Sequence, residues 1–413
     1  MDVHHASPLL AGLSPAQFMR RHWQKKPLLV RAAIPGFKPL LSRAELFKLA
    51  ASEGVESRLV VKNADKTVVA WRMRNGPFAS RSLPPISKPG WTLLVQGVDG
   101  HHALVHQLLQ QFRFVPDARL DDVMISFATA GGGVGPHFDS YDVFLFQASG
   151  RRRWKISQQK DLTLQPDVPL KILQNFEPEE EFVLEAGDML YLPPRYAHDG
   201  MAESAVDAGG KAQDCMTYSI GFKAPAQAEL TAELLHKLAE FSEDSGDDAD
   251  ANSGADAGSN RPKKMYRDPG QAATPTPAEL PAALVKFAEN AVRQALQDPL
   301  AIACALGETM TAPKAQVWFE QTGADWDGPT VGQSLHLDAK SRMMYDADHV
   351  FINGESYRAK GRDAQLMHLL ADQRALPAAA LAKASAGALD LLADWHAEGW
   401  VHLLAPKVEE ISQ

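Results

Sequence analysis

Short apolar segments separated by glycine and proline turns run from residue 59 to residue 222 of this 413-residue chain. Nine of them are predicted to be strands, over residues 59–61, 68–72, 91–96, 123–128, 142–147, 153–156, 182–184, 189–192 and 216–222. A single helix is expected among them, at residues 101–112. Many short strands with turn residues between them favour a β-barrel or a β-sandwich.

The segments on either side of this β region have helical patterns. Ser14 followed by Pro15 predicts a helix start, and residues 28–30 predict a strand. Residues 225–241 and 277–296 are predicted helices, and the acidic low-complexity stretch 242–260 between them is expected to be disordered. A hairpin and short helices over residues 350–403 are typical of a winged helix. We therefore expect three parts, residues 1–225, 226–310 and 311–413.

Charge and composition exclude several classes of protein. Much of the net charge of −9 comes from acidic residues between positions 240 and 256, where no Lys or Arg occurs. The chain lacks the concentrated basic excess that nucleic-acid binding requires. Two cysteines exclude a disulfide framework and a cysteine-rich zinc site. Because neither a secretory signal nor an apolar run of about 18 residues is visible, we expect a cytoplasmic protein without a membrane partner.

The glycine-rich run 131–135 leads into His137-Phe138-Asp139. Residues i and i+2 of a strand face the same side, so a strand here would direct His137 and Asp139 together into a barrel. The tripeptide alone is a weak signal. A second copy, His336-Leu337-Asp338, has no partner histidine downstream in a matching context, and we interpret it as an ordinary surface pair.

The first copy has such a partner. Residues 187–198 begin with a glycine, pass through Pro193-Pro194 and end at His198, which resembles the second cupin motif. The chain departs from that pattern at Arg195, where glycine is usual, and at Val143, where the first cupin motif has a glutamate. Two histidines and one carboxylate remain, the set that binds Fe(II) with open coordination positions. Zinc more often takes a closed tetrahedral set.

A basic run after Gly150 offers a site for a carboxylate. Strand alternation groups Arg152 with the apolar Trp154 and Ile156, whereas Arg151, Arg153 and Lys155 share the opposite, solvated face. An arginine on an inward apolar face requires an acidic partner, such as the distal carboxylate of 2-oxoglutarate.

These segments together resemble the JmjC-type ribosomal oxygenases, most closely the bacterial arginine hydroxylases of a large-subunit ribosomal protein. The resemblance is carried by the segments 91–96, 121–126, 135–139, 141–147 and 152–154, and also by 23–29 and 218–222. It is strong over residues 15–225 and weaker beyond. It implies a mainly β fold with α additions: a double-stranded β-helix (cupin/JmjC) core, then a helical dimerisation region and a winged-helix-like C-terminal domain.

The resemblance also implies the ligands and their residues. Fe(II) is expected on His137, Asp139 and His198, and the co-substrate 2-oxoglutarate on Arg152, with a supporting hydroxyl on the strand that carries Ser126. The expected substrate is an arginine side chain of a ribosomal protein, and the expected assembly is a homodimer.

A guanidinium substrate needs aromatic and acidic groups at the entrance. Tyr141, Asp142 and Tyr196 are the candidates, although residues of this type at a barrel rim can also be purely structural. Three other functions remain open: an oxygenase acting on another protein or a small molecule, a cupin isomerase or dioxygenase without co-substrate, and a non-catalytic regulator.

Overall fold

A computed structural model describes residues 2–63, 70–206, 209–210, 212–244, 265–267, 278, 280–297, 299–322, 326 and 328–404. The acidic stretch 242–260 lies almost entirely outside the described residues. The chain forms two compact units. The first comprises 1–224, 314–320 and 338–340, and the second comprises 225–313, 321–337 and 341–413. The three-part division at residues 225 and 310 stays a prediction.

The first unit contains eleven strands and three α-helices in its described residues. The helices are α1 (Pro15–Arg21), α2 (Arg43–Ala50) and α3 (Ala103–Gln110). The strands are β1 (Leu28–Val30), β2 (Ser57–Asn63), β3 (Ala70–Asn75), β4 (Trp91–Val95), β5 (Leu120–Ala128), β6 (Val143–Ser149), β7 (Arg151–Ser157), β8 (Glu180–Leu184), β9 (Met189–Leu192), β10 (Ala197–Glu203) and β11 (Cys215–Phe222).

Two antiparallel sheets make up the β core. The larger has the order β1-β9-β6-β11-β5-β4-β2-β3, and the smaller has the order β10-β7-β8. Their inner faces meet in an apolar cluster that includes Leu145 and Leu190 of the larger sheet and Trp154 and Ile156 of the smaller one. This two-sheet arrangement is the predicted double-stranded β-helix, and it leaves an interior lined by alternate residues of each strand.

Because side chains alternate along the strands, the two faces of the larger sheet pack against two different apolar clusters. On β6, Val143 and Leu145 face the smaller sheet, whereas Phe144 and Phe146 face the opposite side and join a second apolar cluster. The helices α1 to α3 contribute Phe18, among other residues, to that second cluster. The large sheet is therefore covered on both faces, which makes it a rigid support for the residues between the sheets.

The sequence predictions for this unit are largely confirmed, with one correction. Each of the nine predicted strands overlaps a strand of the structure, and α1 begins at a capping box formed by Ser14 and Gln17. The helix α2 was not predicted. The expectation that His137 and Asp139 lie on a strand is wrong: His137 forms only an isolated β-bridge with His198, and no regular strand covers residues 129–142.

The second unit begins with three helices, α4 (Gln227–Asp244), α5 (Ala282–Ala295) and α6 (Pro299–Thr311). A winged helix follows, with its own apolar core around Leu370, Leu392 and Trp395. Its elements are β12 (Ser334–Leu337), β13 (Met343–Tyr345), β14 (His349–Ile352), β15 (Glu355–Arg358), α7 (Gly361–Gln373), β16 (Ala375–Leu376), α8 (Ala378–Leu381), α9 (Ala386–Ala397) and β17 (Val401–Leu404). Among the described helices, none has the length and apolar character to cross a membrane.

Candidate metal centre and adjoining pocket

His137, Asp139 and His198 come together at the end of the barrel interior. One ligand atom from each lies within 4.8 Å of the other two, and this is the only such group of three among the described residues. The Nε2 atom of His198 is 3.7 Å from a carboxylate oxygen of Asp139. The centroids of the two imidazole rings are 4.2 Å apart. The second copy, His336-Leu337-Asp338, contributes to no comparable group in the described chain.

Backbone hydrogen bonds align the two histidines. The amide of His137 donates to the carbonyl of His198 at 2.9 Å, and the amide of His198 donates to the carbonyl of His137 at 2.8 Å. Each ring also has its Nδ1 atom near a carbonyl oxygen, 2.8 Å from Gly135 for His137 and 2.9 Å from Tyr196 for His198. Donation from Nδ1 leaves the Nε2 lone pair of each ring available to a metal.

The electrostatics of the site favour the ligand form of histidine. His198 is only 2 % exposed, and this burial, followed by the charge of His137, lowers the pKa of His198 to about 4. A neutral imidazole is the form that coordinates metals. The residue therefore needs no deprotonation before it can bind a metal at neutral pH.

The glycine-rich run is needed because other strands approach its backbone closely. A Cβ atom at Gly132 would lie 2.4 Å from the carbonyl oxygen of Trp91, and one at Gly133 would lie 2.5 Å from that of Gly200. At Gly135, where φ is +82°, a Cβ atom would lie 2.9 Å from the Trp71 ring. Glycine at positions 132, 133 and 135 therefore lets the run pass close to the neighbouring segments on its way to His137.

The donor set fits Fe(II). It offers two imidazole nitrogens and one carboxylate, the combination that leaves coordination positions open for small ligands. Val143, at the position where cupins have a fourth ligand, is buried in the apolar cluster between the sheets. It has no donor atom, so the chain provides three ligands and no more at this point.

Arg152 lies inside the barrel, where two of its guanidinium nitrogens form no hydrogen bond with any described residue. It is 6 % exposed, and its Nε and one terminal nitrogen are buried with no hydrogen-bond partner among the described residues. Its guanidinium carbon is 5.6 Å from the ring of Trp154, which in turn lies 5.8 Å from the ring of His198. A buried guanidinium that lacks an acceptor is a site for an anionic group of a ligand.

The neighbouring arginines on β7 have the surface role that alternation predicts. Arg151 pairs with Glu185 and Glu203, and Arg153 pairs with Glu181 and Glu203. Of the three arginines on β7, Arg152 is thus the one that points into the interior.

Ser126 shares the interior with polar residues that the sequence analysis missed. It is 2 % exposed, and its hydroxyl donates to the carbonyl of Thr217 over 3.4 Å. The hydroxyl of Thr217 donates to the side-chain carbonyl of Gln147 at 2.9 Å. Both missed residues occupy inward positions of predicted strands, so their alternation with Tyr218 and Phe146 is the signal that could have identified them.

The three candidate substrate residues have different environments. Tyr141 is partly exposed, and desolvation followed by the charges of Asp139 and Asp122 raises its pKa. Tyr196 is 8 % exposed and packs into the apolar cluster between the sheets. Its backbone carbonyl oxygen lies 2.9 Å from Nδ1 of His198.

Asp142 requires a correction. It is fully buried on the outer face of the large sheet, where it accepts hydrogen bonds from Tyr191 at 2.6 Å and from Gln24 at 3.1 Å. Arg119 lies 3.4 Å away. Asp142 is two residues before Phe144 and therefore lies on the same side of the sheet as Phe144, opposite to the inner face on which Val143 lies. Asp142 is therefore a structural residue rather than part of an entrance.

A different carboxylate lies on the inner face. Asp122 shares its face of β5 with Ser126 because the two are four positions apart and side chains alternate along a strand. It accepts hydrogen bonds from Gln96 at 2.8 Å and from the ammonium group of Lys314 at 2.7 Å. Burial, followed by the charge of Asp121, raises the pKa of Asp122. Asp122 thus already holds a cation on the side of the sheet that carries the site.

Comparison with known proteins identifies two family models. Residues 107–230 match a JmjC domain model, and residues 294–402 match the ROXA-like winged helix. Among curated proteins, the ribosomal protein uL16 3-hydroxylase of Escherichia coli is 40 % identical over 216 residues, which cover 52 % of this chain and 53 % of that protein. A probable ribosomal oxygenase of Haemophilus influenzae is 34 % identical over 221 residues, 53 % of this chain and 52 % of its own length.

The sequence matches thus span about half the length of these curated relatives. Solved structures match over almost the whole chain, as the following two show. The E. coli ribosomal oxygenase YcfD in complex with cobalt and succinic acid superimposes with a TM-score of 0.71 and 30 % identity, covering 95 % of this chain and 99 % of that one. The same protein with cobalt and 2-oxoglutarate gives a TM-score of 0.72 at 29 % identity, with 95 % and 99 % covered.

Proposed function

Because this chain belongs to the JmjC-type ribosomal oxygenases, we propose that it is an Fe(II)- and 2-oxoglutarate-dependent hydroxylase of a ribosomal protein. The observation that carries the proposal is the pairing of the three-ligand group with an unpartnered, buried arginine in one barrel. A metal group alone is compatible with many cupin activities. The additional buried cation supports a 2-oxo acid co-substrate with a second carboxylate.

Each residue of the site has a distinct task in this proposal. His137, Asp139 and His198 hold the iron, and Arg152 binds the distal carboxylate of 2-oxoglutarate. Ser126, with Thr217 and Gln147 beside it, supplies hydroxyl and amide groups for the same ligand.

When bound, iron and 2-oxoglutarate supply the oxidising chemistry, in which O₂ is used to replace a carbon-bound hydrogen of the substrate by a hydroxyl group. The chain's own contribution is to orient these ligands and to exclude water. Trp154, Ile156 and Leu145 line the interior with apolar groups, and such a dry site prevents side reactions of the oxidant with water.

The finer proposal is that the hydroxylated side chain is an arginine. Tyr141 lies beside Asp139, and Asp122 lies close enough to Tyr141 for its charge to affect the pKa of the phenol. An aromatic ring can stack on a guanidinium while a carboxylate accepts its hydrogen bonds. Asp122 therefore replaces Asp142 as the proposed acidic contact, with Lys314 occupying the carboxylate when no substrate is bound.

A peptide assay tests both the oxygenase activity and the choice of arginine as the hydroxylated residue. We expect an arginine peptide from a basic loop of the large ribosomal subunit to gain one oxygen atom by mass spectrometry, with succinate formed in step. The peptide in which lysine replaces that arginine should react far more slowly, because lysine lacks the planar fork that Tyr141 and Asp122 can bind. Equal rates on the two peptides would contradict the arginine assignment and leave the oxygenase assignment intact.

A variant pair tests the metal site itself. Asp139→Ala should abolish Fe(II) binding, measured anaerobically by calorimetry, together with succinate formation. The matched control is Asp338→Ala in the second His-x-Asp copy, which should retain both properties. Full activity of Asp139→Ala would rule out the proposed ligand set.

A further inference from the structure

The turn that leads into β10 contains an arginine in a conformation that favours glycine. Arg195 has a φ of +64°, in the left-handed region that side chains with a Cβ atom rarely adopt. In the cupin motif that this segment resembles, glycine is the usual residue at this position. The backbone conformation alone therefore does not account for an arginine here, and an outlier of this kind points to a role of the side chain.

Both the backbone and the side chain of Arg195 contact the segment that carries two metal ligands. The amide of Arg195 donates a hydrogen bond to the carbonyl of Asp139 at 2.7 Å. Its guanidinium carbon lies 5.7 Å from the ring centroid of Phe138, within the range of a cation–π contact. Phe138 stands between His137 and Asp139 in the chain, so the two contacts hold adjacent residues of the same segment.

This segment has few other supports from secondary structure. Residues 129–142 contain no regular strand, and within them His137 is joined to β10 only by an isolated bridge. Asp139 lies two residues beyond that bridge and outside any strand. Contacts with the turn at 193–196 therefore contribute to the direction of its carboxylate relative to His198.

From these contacts, we infer that Arg195 is a positioning residue for the metal centre. Its side chain contacts Phe138 and its amide binds the carbonyl of Asp139, so both residues are held next to the turn at 193–196. Tyr196 of the same turn supports the ring of His198 through its carbonyl oxygen. This one turn would then orient two of the three proposed ligands, Asp139 and His198. The inference rests on the proposed function, since it requires that the three residues bind a metal.

The test compares Arg195→Gly with the unaltered chain in the metal-free and metal-bound states. Glycine keeps the amide and relieves the strain, so the melting temperature of the metal-free protein should be unchanged or higher. Affinity for Co(II), followed by its visible absorption, should nevertheless fall by about two- to five-fold, the factor that corresponds to loss of a partly exposed cation–π contact. Arg195→Lys, which retains the positive charge, should recover most of this affinity.

Two controls separate the side-chain role from general effects. Ala11→Gly relieves another left-handed residue, with a φ of 56°, and should leave Co(II) affinity unchanged. Phe138→Leu should weaken affinity on its own, and adding Arg195→Gly to it should cost little more, because both changes remove the same contact.

Each outcome decides between the two hypotheses. Absence of Co(II) binding by the unaltered chain would overturn the proposed function and this inference with it. Normal binding by the unaltered chain with unchanged affinity in Arg195→Gly would overturn only the inference. Losses for Arg195→Gly and Phe138→Leu that add fully in the double variant would do the same.

Discussion

At the scale of single residues, the functional assignment depends on a charge that the protein leaves unpaired. Arg152 is buried beside Trp154, and two of its nitrogens have no partner among the described residues. Burial of a cation without an acceptor destabilises a fold, so a ligand that supplies the acceptor binds with a correspondingly larger gain. The same reasoning separates Arg152 from Arg151, which has two carboxylate partners at the surface.

The first prediction concerns this arginine. Arg152→Ala removes a charge-assisted interaction of about 1.5–3 kcal/mol, so we expect the KM for 2-oxoglutarate to rise by roughly 10- to 100-fold. Fe(II) affinity should change little, because Arg152 contacts no metal ligand in the structure. Steady-state succinate formation measures the effect, and Arg151→Ala is the control that should leave KM unchanged. Similar KM values in the two variants would contradict the orientation of β7.

The second prediction concerns the pH dependence of stability. Asp99 is 8 % exposed, and its burial, followed by the charge of Asp122, raises its pKa to about 7. Between pH 4 and pH 7 the folded state keeps a proton that the unfolded state has released, so Asp99 makes stability fall as pH rises through this window. Below pH 4 both states are protonated and the penalty is absent.

Asp99→Asn removes the ionisable group and can still accept the hydrogen bond from the amide of Val123. We expect the variant to be more stable than the unaltered protein at pH 8, by about 1–3 kcal/mol, with little difference at pH 4. Calorimetric melting at both pH values measures this. Asp161→Asn is the contrast: hydrogen bonds from Thr163 lower the pKa of exposed Asp161, so its replacement should not stabilise the protein at pH 8. A gain for Asp99→Asn that is equal at both pH values would argue against ionisation as its cause.

At the scale of elements, the metal centre depends on how closely β10 and β7 pack. Gly200 of β10 pairs with Trp154 of β7, and a Cβ atom at Gly200 would lie 2.5 Å from a carbon of the Trp154 ring. The absence of a side chain at Gly200 leaves room for the indole against β10, at 5.6 Å from the guanidinium carbon of Arg152 and 5.8 Å from the ring of His198. The position of the indole therefore links the proposed iron site to the proposed co-substrate site.

The third prediction follows from this contact. Gly200→Ala must displace the Trp154 ring, which should cost about 1–3 kcal/mol of unfolding free energy and weaken both Fe(II) and 2-oxoglutarate binding. Chemical denaturation and calorimetric titration measure the two effects. Gly387→Ala in α9, where a Cβ atom meets nothing within 4 Å, is the control and should be neutral or stabilising. If Gly200→Ala proved equally harmless, the indole would not be held by this contact.

At the scale of the whole molecule, the helical region offers a surface for self-association. No residue of α5 is buried, although Leu284, Val285 and Val292 lie on one side of it and are 36 %, 41 % and 54 % exposed. Contiguous exposed apolar residues of this kind mark interaction sites. They support the homodimer that the sequence analysis expected.

The fourth prediction is that α5 mediates a dimer. Leu284→Glu combined with Val292→Glu should convert the protein to a monomer, measured by light scattering during size-exclusion chromatography, because the change buries charge in an apolar interface. Lys286→Glu, on an exposed position of the same helix, should leave the dimer intact. A monomeric unaltered protein, or a dimer that survives the double change, would contradict the prediction.

Local sequence pattern was sufficient for most of the fold and for the metal-binding group. Strand alternation separated Arg152 from Arg151 because the side-chain period of a strand depends only on its own backbone. The spacing of glycine, proline and histidine in 187–198 identified His198 for a similar reason, since a turn between two strands is a local structure. The winged helix was recognisable from its hairpin and short helices alone.

Tertiary structure decided what lies beyond the ends of the strands. Asp142 precedes β6 and Asp122 lies near the start of β5, and their long-range partners, Tyr191 in one case and Lys314 in the other, became known only from the structure. Likewise, His137 reaches His198 through an isolated bridge instead of a strand, because glycines let the chain pass between two sheets that are distant in sequence. Such contacts depend on the packing of separate segments, and no local periodicity encodes them.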